Sequence, residues 1–229
     1  MRKSLVVPAF ALLVAQPMLS QAEDGGCGIP AATVSAVQET LATVINEADA
    51  NGGIFHPNRM WSAIVDRHGI LCSVINSGND PWPGSRAIAI AKASTANDFS
   101  NGGLALSTAN LYAATQPGGS LYGLNNSNPF NPSFDKQGTG VGFAPGGIIT
   151  FGGGVALYES GKVIGGLGVS GDSACADHAI AYRMRHMADL DVVPGGVGPG
   201  NTDNINYAPV GTQPTGFQHP HCFPSDITP

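Results

Sequence analysis

The 229-residue chain carries 10 basic and 16 acidic side chains, a formal charge of −6, and only 11% of its residues are charged. A nucleic-acid partner needs a basic face to displace counterions, so the sign of the charge argues against one. With 32 glycines, 17 prolines and four cysteines, the surface is rich in amides, hydroxyls and glycine rather than charge.

The chain starts with Met1-Arg2-Lys3, continues through a mostly apolar run from Leu5 to Leu19, and reaches small residues at Ser20 and Ala22. This is the three-part pattern of a secretory signal peptide over residues 1–22, with cleavage before Glu23. The run is broken by Pro8 and Pro17 and falls short of the roughly 20 apolar residues a span needs. No other segment is apolar enough to span a membrane, so the expected product is periplasmic or secreted. Cleavage removes two basic residues and no acidic ones, leaving a formal charge of −8.

Residues 31–50 read as an amphipathic helix, with Val34, Val37, Leu41, Val44, Ile45 and Ala48 at helical spacing and Gly52-Gly53 as a stop. Strands follow at Trp61–Asp66 and Ile70–Asn76, joined by a turn at Arg67-His68-Gly69. Ser85 can cap an alanine-rich helix running to Phe99, and a short helix starts near Ser107. Residues 116–147 are a long Gly-, Pro-, Asn- and Ser-rich loop, a length that marks a functional segment or an assembly arm. Three more strands are expected at Ile148–Phe151, Val155–Tyr158 and Val163–Val169, then a helix over Ala176–Leu190. A turn-rich tail occupies 191–229, so the main domain is expected over 23–190. The order α-β-β-α-α-β-β-β-α implies an antiparallel sheet flanked by helices, an α+β fold.

Four cysteines in an exported chain imply two disulfides with three possible pairings. The first helix, about 30 Å long at its residue count, returns into the first strand, so the second strand begins near the helix start. That places Cys72 close to Cys27 and leaves Cys175 for Cys222.

Several patterns invite chemistry. Gly166-x-Gly168-x-x-Gly171 matches the dinucleotide fingerprint, but on an antiparallel sheet it lacks the second βαβ strand that carries the ribose-binding acid. Gly168-Val169-Ser170-Gly171-Asp172 approaches a nucleophile elbow, with Asp where the final Gly belongs. His178 and His186 lie eight apart on one expected helix, near Met184, and the tail carries His219-Pro-His221-Cys222. Pairing of Cys175 with Cys222 would bring that cluster beside Asp177 and His178. These histidines read either as hydrogen-bonded packing groups or as a metal or haem site. Lys92 is the lone charge deep in the alanine-rich helix and needs a partner, Asp66 or Asp177, or an acidic ligand group.

Three segments together resemble a known family: Trp61 to Asp66-Arg67 with Gly69, Ser85-Arg86 to Lys92 with Thr95-Ala96, and Gly165 to Ser170-Gly171 followed by Asp177. They are similar to the GlcG/HbpS-like family, and the leader, cysteines, long loop and tail resemble an exported branch of it. The resemblance implies a profilin-like fold with a five-stranded antiparallel sheet between helices, homo-oligomers, and haem binding in some members. The matched positions are Asp66, Arg67, Arg86, Lys92, Thr95, Ser170 and Asp177, and the family does not dictate one axial ligand. No Cys-x-x-Cys-His run occurs, so any haem would be non-covalent. The expected haem site takes Arg86 and Lys92 for the propionates, with Thr95, Asp177 and His178 beside them. His178 with Met184, or His219 and His221, are the expected donors to iron. An enzyme acting on a small organic acid or aldehyde through Lys92 and Asp177, and a purely structural oligomer-forming module, remain the other readings.

Overall fold

The computed structural model of the chain describes residues 26–55, 59–78 and 80–229; the leader and His56 lie outside these. Helix α1 spans Ala31–Val44, strands β1 and β2 span Trp61–Asp66 and Leu71–Asn76, and α2 spans Pro83–Asp98. A short α3 (Tyr112–Thr115) precedes the long irregular arm, after which come β3 (Gly154–Glu159), β4 (Lys162–Ser170) and α4 (Ala174–Met187). The strands form one antiparallel sheet in the order β2-β1-β4-β3.

Period-two alternation sorts the side chains of β1 onto two faces. Ile64 points to the α1/α4 side with Val37, Leu41, Val44, Leu167, Val169, Ile180 and Met184. Ala63 and Val65 point to α2, where they meet Ala89, Ile90 and Ala93. On β4 the outward pair is glycine: a Cβ at Gly166 or Gly168 would run into the carbonyl oxygens of Ala93 or Ala89 on α2. The Gly-x-Gly-x-x-Gly run therefore exists to let the helix backbone lie directly on the strand, and the fingerprint resemblance is a packing requirement. Gly171 closes the set at φ +157°, where a side chain would strike Met60.

The sheet has four strands among the described residues, not five. The expected strand Ile148–Phe151 is extended coil, with side chains accepting from backbone amides in and just after it. Ile149 N–H donates to Thr95 Oγ1 (2.9 Å) and Gly152 N–H to His219 Nε2 (3.3 Å). Helix α1 ends at Val44 rather than at residue 50, since the amide of Asn51 caps the Val44 carbonyl (2.9 Å) and Asn51 itself sits at φ 55°. Helix α2 starts at Pro83 rather than at Ser85, with proline at its first position, where no N–H is needed. Helix α4 starts at Ala174, with Ser173 accepting from the Ala176 amide, and stops at Met187.

Disulfides join Cys27 to Cys72 and Cys175 to Cys222, as the element order required. Each closes a loop of about 46 residues, worth roughly 4 kcal/mol in the chain-entropy account. The second pins the irregular tail onto α4, helped by the fully buried bidentate pair between Arg185 and Asp203 (2.7 and 2.6 Å). Among the described residues no helix is long and apolar enough to cross a membrane.

Candidate functional site

The charged centre of the molecule lies where α2, the start of β3, the end of β4, the first turn of α4 and the tail converge. Lys92 is fully buried, and its partner is Asp177, not Asp66. Its Nζ donates to Asp177 Oδ2 (2.7 Å) and to the Val169 carbonyl (2.9 Å), and sits 4.9 Å from the centre of the Phe151 ring. The other Asp177 oxygen accepts from the amides of Gly171 (3.1 Å) and Asp172 (2.9 Å). Asp177 lies in the first turn of α4, where the helix dipole favours a carboxylate. Burial nevertheless pushes its carboxyl up to about 6 against the pull of Lys92, and burial likewise lowers Lys92. Asp66 instead accepts from the amides of Gly28, His68 and Ile70 and holds the β1–β2 turn.

Three consecutive glycines make this convergence possible. A Cβ on Gly152 would strike Ala174, one on Gly153 (φ +120°) would strike Lys92 Nζ and Val169, and one on Gly154 would strike Lys92 and Thr108. Sequence reasoning missed this run and the Phe151 ring. The signal was present as Gly152-Gly153-Gly154 directly before an apolar strand, a composition that demands close backbone approach.

The histidines do not form one site. His178 is fully buried against the tail, its Nε2 3.0 Å from the Ile205 amide and 3.2 Å from Asn204 Oδ1, and burial lowers its pKa to about 3. His219, also buried, accepts the Gly152 amide at Nε2, which leaves Nδ1 as the protonated nitrogen, 2.7 Å from the Pro220 carbonyl. Burial lowers its pKa to about 4. Its Nδ1 is 4.0 Å from Cys175 Sγ, but both sulfurs are spent in the disulfide and Nδ1 carries the proton given to Pro220, so this trio is not a metal centre. His221 stacks on Tyr207 with ring centres 4.3 Å apart, and its Nδ1 is 3.6 Å from Asp226.

Met184 faces the opposite core with α1, away from His178. The eight-residue spacing on α4 separates the two histidines: the His186 side chain is 74% exposed and its Nδ1 meets Asp191 at 2.6 Å. Thr95 is a packing residue, donating to the Ala91 carbonyl and accepting from Ile149. Arg86 is buried beneath the long arm, its guanidinium donating to the carbonyls of Phe134 (2.5 Å), Asp135 (3.3 Å) and Thr139 (2.6 Å). Arg67 donates to the Asn97 carbonyl at the end of α2, and Ser170 is buried at the end of β4.

The motif positions are thus mainly the contacts that hold α2 and α4 to the sheet, and the sequence comparison agrees in extent. The family described as haem degrading protein, HbpS-like, matches residues 33–185. The chain belongs to this family. A solved PduOC–haem complex is 27% identical, with a TM-score of 0.50 over 69% of this chain and 94% of that one. The Klebsiella pneumoniae protein ORFY is 25% identical, with a TM-score of 0.47 over 69% of this chain and 85% of its own. The corrinoid adenosyltransferase PduO of Citrobacter freundii is 39% identical over 74 residues, which is 32% of this chain and 17% of that enzyme. The chain therefore spans about a sixth of the length of this curated relative. The family match stops at residue 185 and leaves the tail outside it.

Proposed function

We propose that this protein is an exported, non-covalent haem-binding member of its family, taking haem at its exterior for sensing, scavenging or storage. The carrying observation is the family match over 33–185, together with a relative of the same fold solved as a haem complex. Two disulfides suit a compartment outside the reducing cytoplasm.

The buried cluster does not fit haem. Lys92 is neutralised by Asp177, the Arg86 donors are held by arm carbonyls, and both His178 and His219 have spent their ring nitrogens on, or turned them toward, the protein interior. The cavity beside Ala87, Ile88 and Ala91 on α2 holds about 260 Å³, below the roughly 300–1,000 Å³ of small-molecule sites. The same burial denies a substrate access to Lys92 and Asp177, which weighs against the small-acid enzyme.

His186 does fit an axial donor. Asp191 holds its Nδ1, the side chain is largely exposed, and Nε2 has no partner among the described residues. A carboxylate behind a histidine is the arrangement that orients ligating imidazoles and raises their basicity. Met187 and Val192 are exposed beside it, 48% and 68%, and offer apolar contact to a macrocycle. Bound there, haem would supply the iron and its redox or gas chemistry; the protein supplies the nitrogen and its orientation.

Haemin titration of the oxidised protein tests this. The expected result is a saturable Soret shift that His186→Ala abolishes and His221→Ala leaves intact. If His186→Ala titrates like the parent, the donor assignment is wrong. If the parent shows no saturable shift, the haem reading itself fails.

The reading includes a homo-oligomer. The arm stacks a half-buried Phe134 on Phe143 (ring centres 5.5 Å apart) and leaves Tyr122, Val141 and Phe143 more than half exposed, apolar groups that a second copy would cover.

A further inference from the structure

A further cavity lies between the α3 segment, inside the family match, and the tail beyond it. It holds about 640 Å³, well within the range of small-molecule sites. One wall is α3 and the loop after it, from Tyr112 to Ser120; the other is the tail segment 213–216. The tail segment lies outside the matched region 33–185, so this cavity exists only because this chain carries its tail.

The walls are fixed by contacts already described. The Cys175–Cys222 disulfide tethers the tail, and mutual backbone bonds join Ala208 to His219 (2.9 Å) and His219 to Asn206 (2.8 Å). His219 packs against the Tyr112 ring, with ring centres 4.9 Å apart and the planes tilted by 53°. On the loop side, Gly119 packs so closely on the Ala114 carbonyl that no side chain fits there.

The lining has an unusual chemistry for an acidic protein: no charged side chain contributes to it. Four neutral polar groups on it have no hydrogen-bond partner among the described residues, namely Tyr112 Oη, Gln116 Oε1, Ser120 Oγ and the Gln213 amide. They comprise both donors and acceptors, set around one braced aromatic ring.

We propose that this cavity is a binding site for a neutral, polyhydroxylated ligand, a short saccharide of one to three rings. Hydroxyl groups both donate and accept, which matches amides and hydroxyls of mixed polarity. The apolar C–H face of a sugar ring matches the tyrosine face. A nucleotide, an organic acid or haem would bring charge that nothing in the lining answers, and burying unpaired charge is costly. The site is separate from the haem surface at His186.

The test is calorimetric titration of the oxidised full chain with maltotriose, cellotriose and triacetylchitotriose at millimolar concentration. At least one should bind saturably, with affinity independent of salt because no ion pair forms. Gln213→Ala and Tyr112→Phe should each weaken binding about tenfold, and Ser120→Trp, which fills the cavity, should abolish it. All three positions are on the rim or the surface, and Tyr112→Phe keeps the bracing ring, so folding is unaffected. Haemin titration of Ser120→Trp should match the parent, which separates this proposal from the haem reading. Absence of saturable binding by all three sugars overturns the proposal, as does binding that Ser120→Trp leaves intact.

Discussion

Replacing Lys92 by methionine keeps most of the side-chain volume and removes the charge, leaving the Asp177 carboxylate buried with only two amides as partners. Breaking a buried pair from one side costs about 3–5 kcal/mol, because the remaining charge is uncompensated. For a domain of this size each kcal/mol is about 2–4 °C in melting temperature, so Lys92→Met should melt roughly 6–20 °C lower. Asp177→Asn should cost a similar amount by stranding the ammonium against Phe151 and the Val169 carbonyl. In Lys92→Met/Asp177→Asn no buried charge remains, and the neutral amide oxygen can still accept from Gly171 or Asp172. The double variant should therefore recover about 2–3 kcal/mol relative to the sum of the two singles. The assay is urea unfolding of the three variants and the parent with disulfides intact, followed by circular dichroism. Additive losses, or single losses below about 1 kcal/mol, would refute the view that this pair is a dry structural clasp. They would instead indicate that water or a ligand reaches the site. Haem affinity should be the same in all folded variants.

Acid should loosen the tail. Both His178 and His219 are held neutral, near 3 and 4 against an ordinary 6.5. As pH falls below 6.5 the unfolded chain takes up protons that the folded one refuses, so stability declines down to the folded values, by up to roughly 3 kcal/mol for His219. Asp177, raised to about 6, works in the opposite sense between 6 and 3.8 and partly offsets the loss. Unfolding free energies measured from pH 7 to 4.5 should thus fall with acid, and His219→Gln should flatten the profile; an unchanged slope in that variant would sink the assignment. Gly168→Ala should lower stability by several kcal/mol by forcing α2 off β4, a strand-wide cost that a merely loop-like glycine would not show, and thermal melts decide between them. Light scattering at micromolar concentration should give a mass above one chain, and Tyr122→Ser/Phe143→Ser should shift it toward the monomer.

Much of the frame was legible in the residues because it is local. The strands Trp61–Asp66 and Val163–Val169 and the alanine-rich helix were legible to within a few residues, and the order of elements was enough to pair four cysteines. The family motifs were legible too, though not their meaning. Gly166, Gly168 and Gly171 match a dinucleotide fingerprint that the antiparallel order already argued against, but their purpose shows only once α2 is seen lying on Gly166 and Gly168, since only a neighbour's backbone explains why a side chain is forbidden. Tertiary structure alone decided the rest, because the deciding partners are remote in the chain. Lys92 chose Asp177 over Asp66 because α4 starts where β4 ends, while Asp66 had its oxygens claimed by the turn amides. The segment 148–151 has strand composition but joins no ladder, its Ile149 amide going to Thr95 and the next one, Gly152, to His219, and no local pattern records that competition. The histidines show the same limit most plainly: His178 and His186 share a helix, and the tail, arriving 26 residues after His178 at Asn204, buries one and leaves the other in solvent. Burial of a polar side chain is a property of whatever segment comes to cover it, and periodicity within its own helix cannot announce that segment.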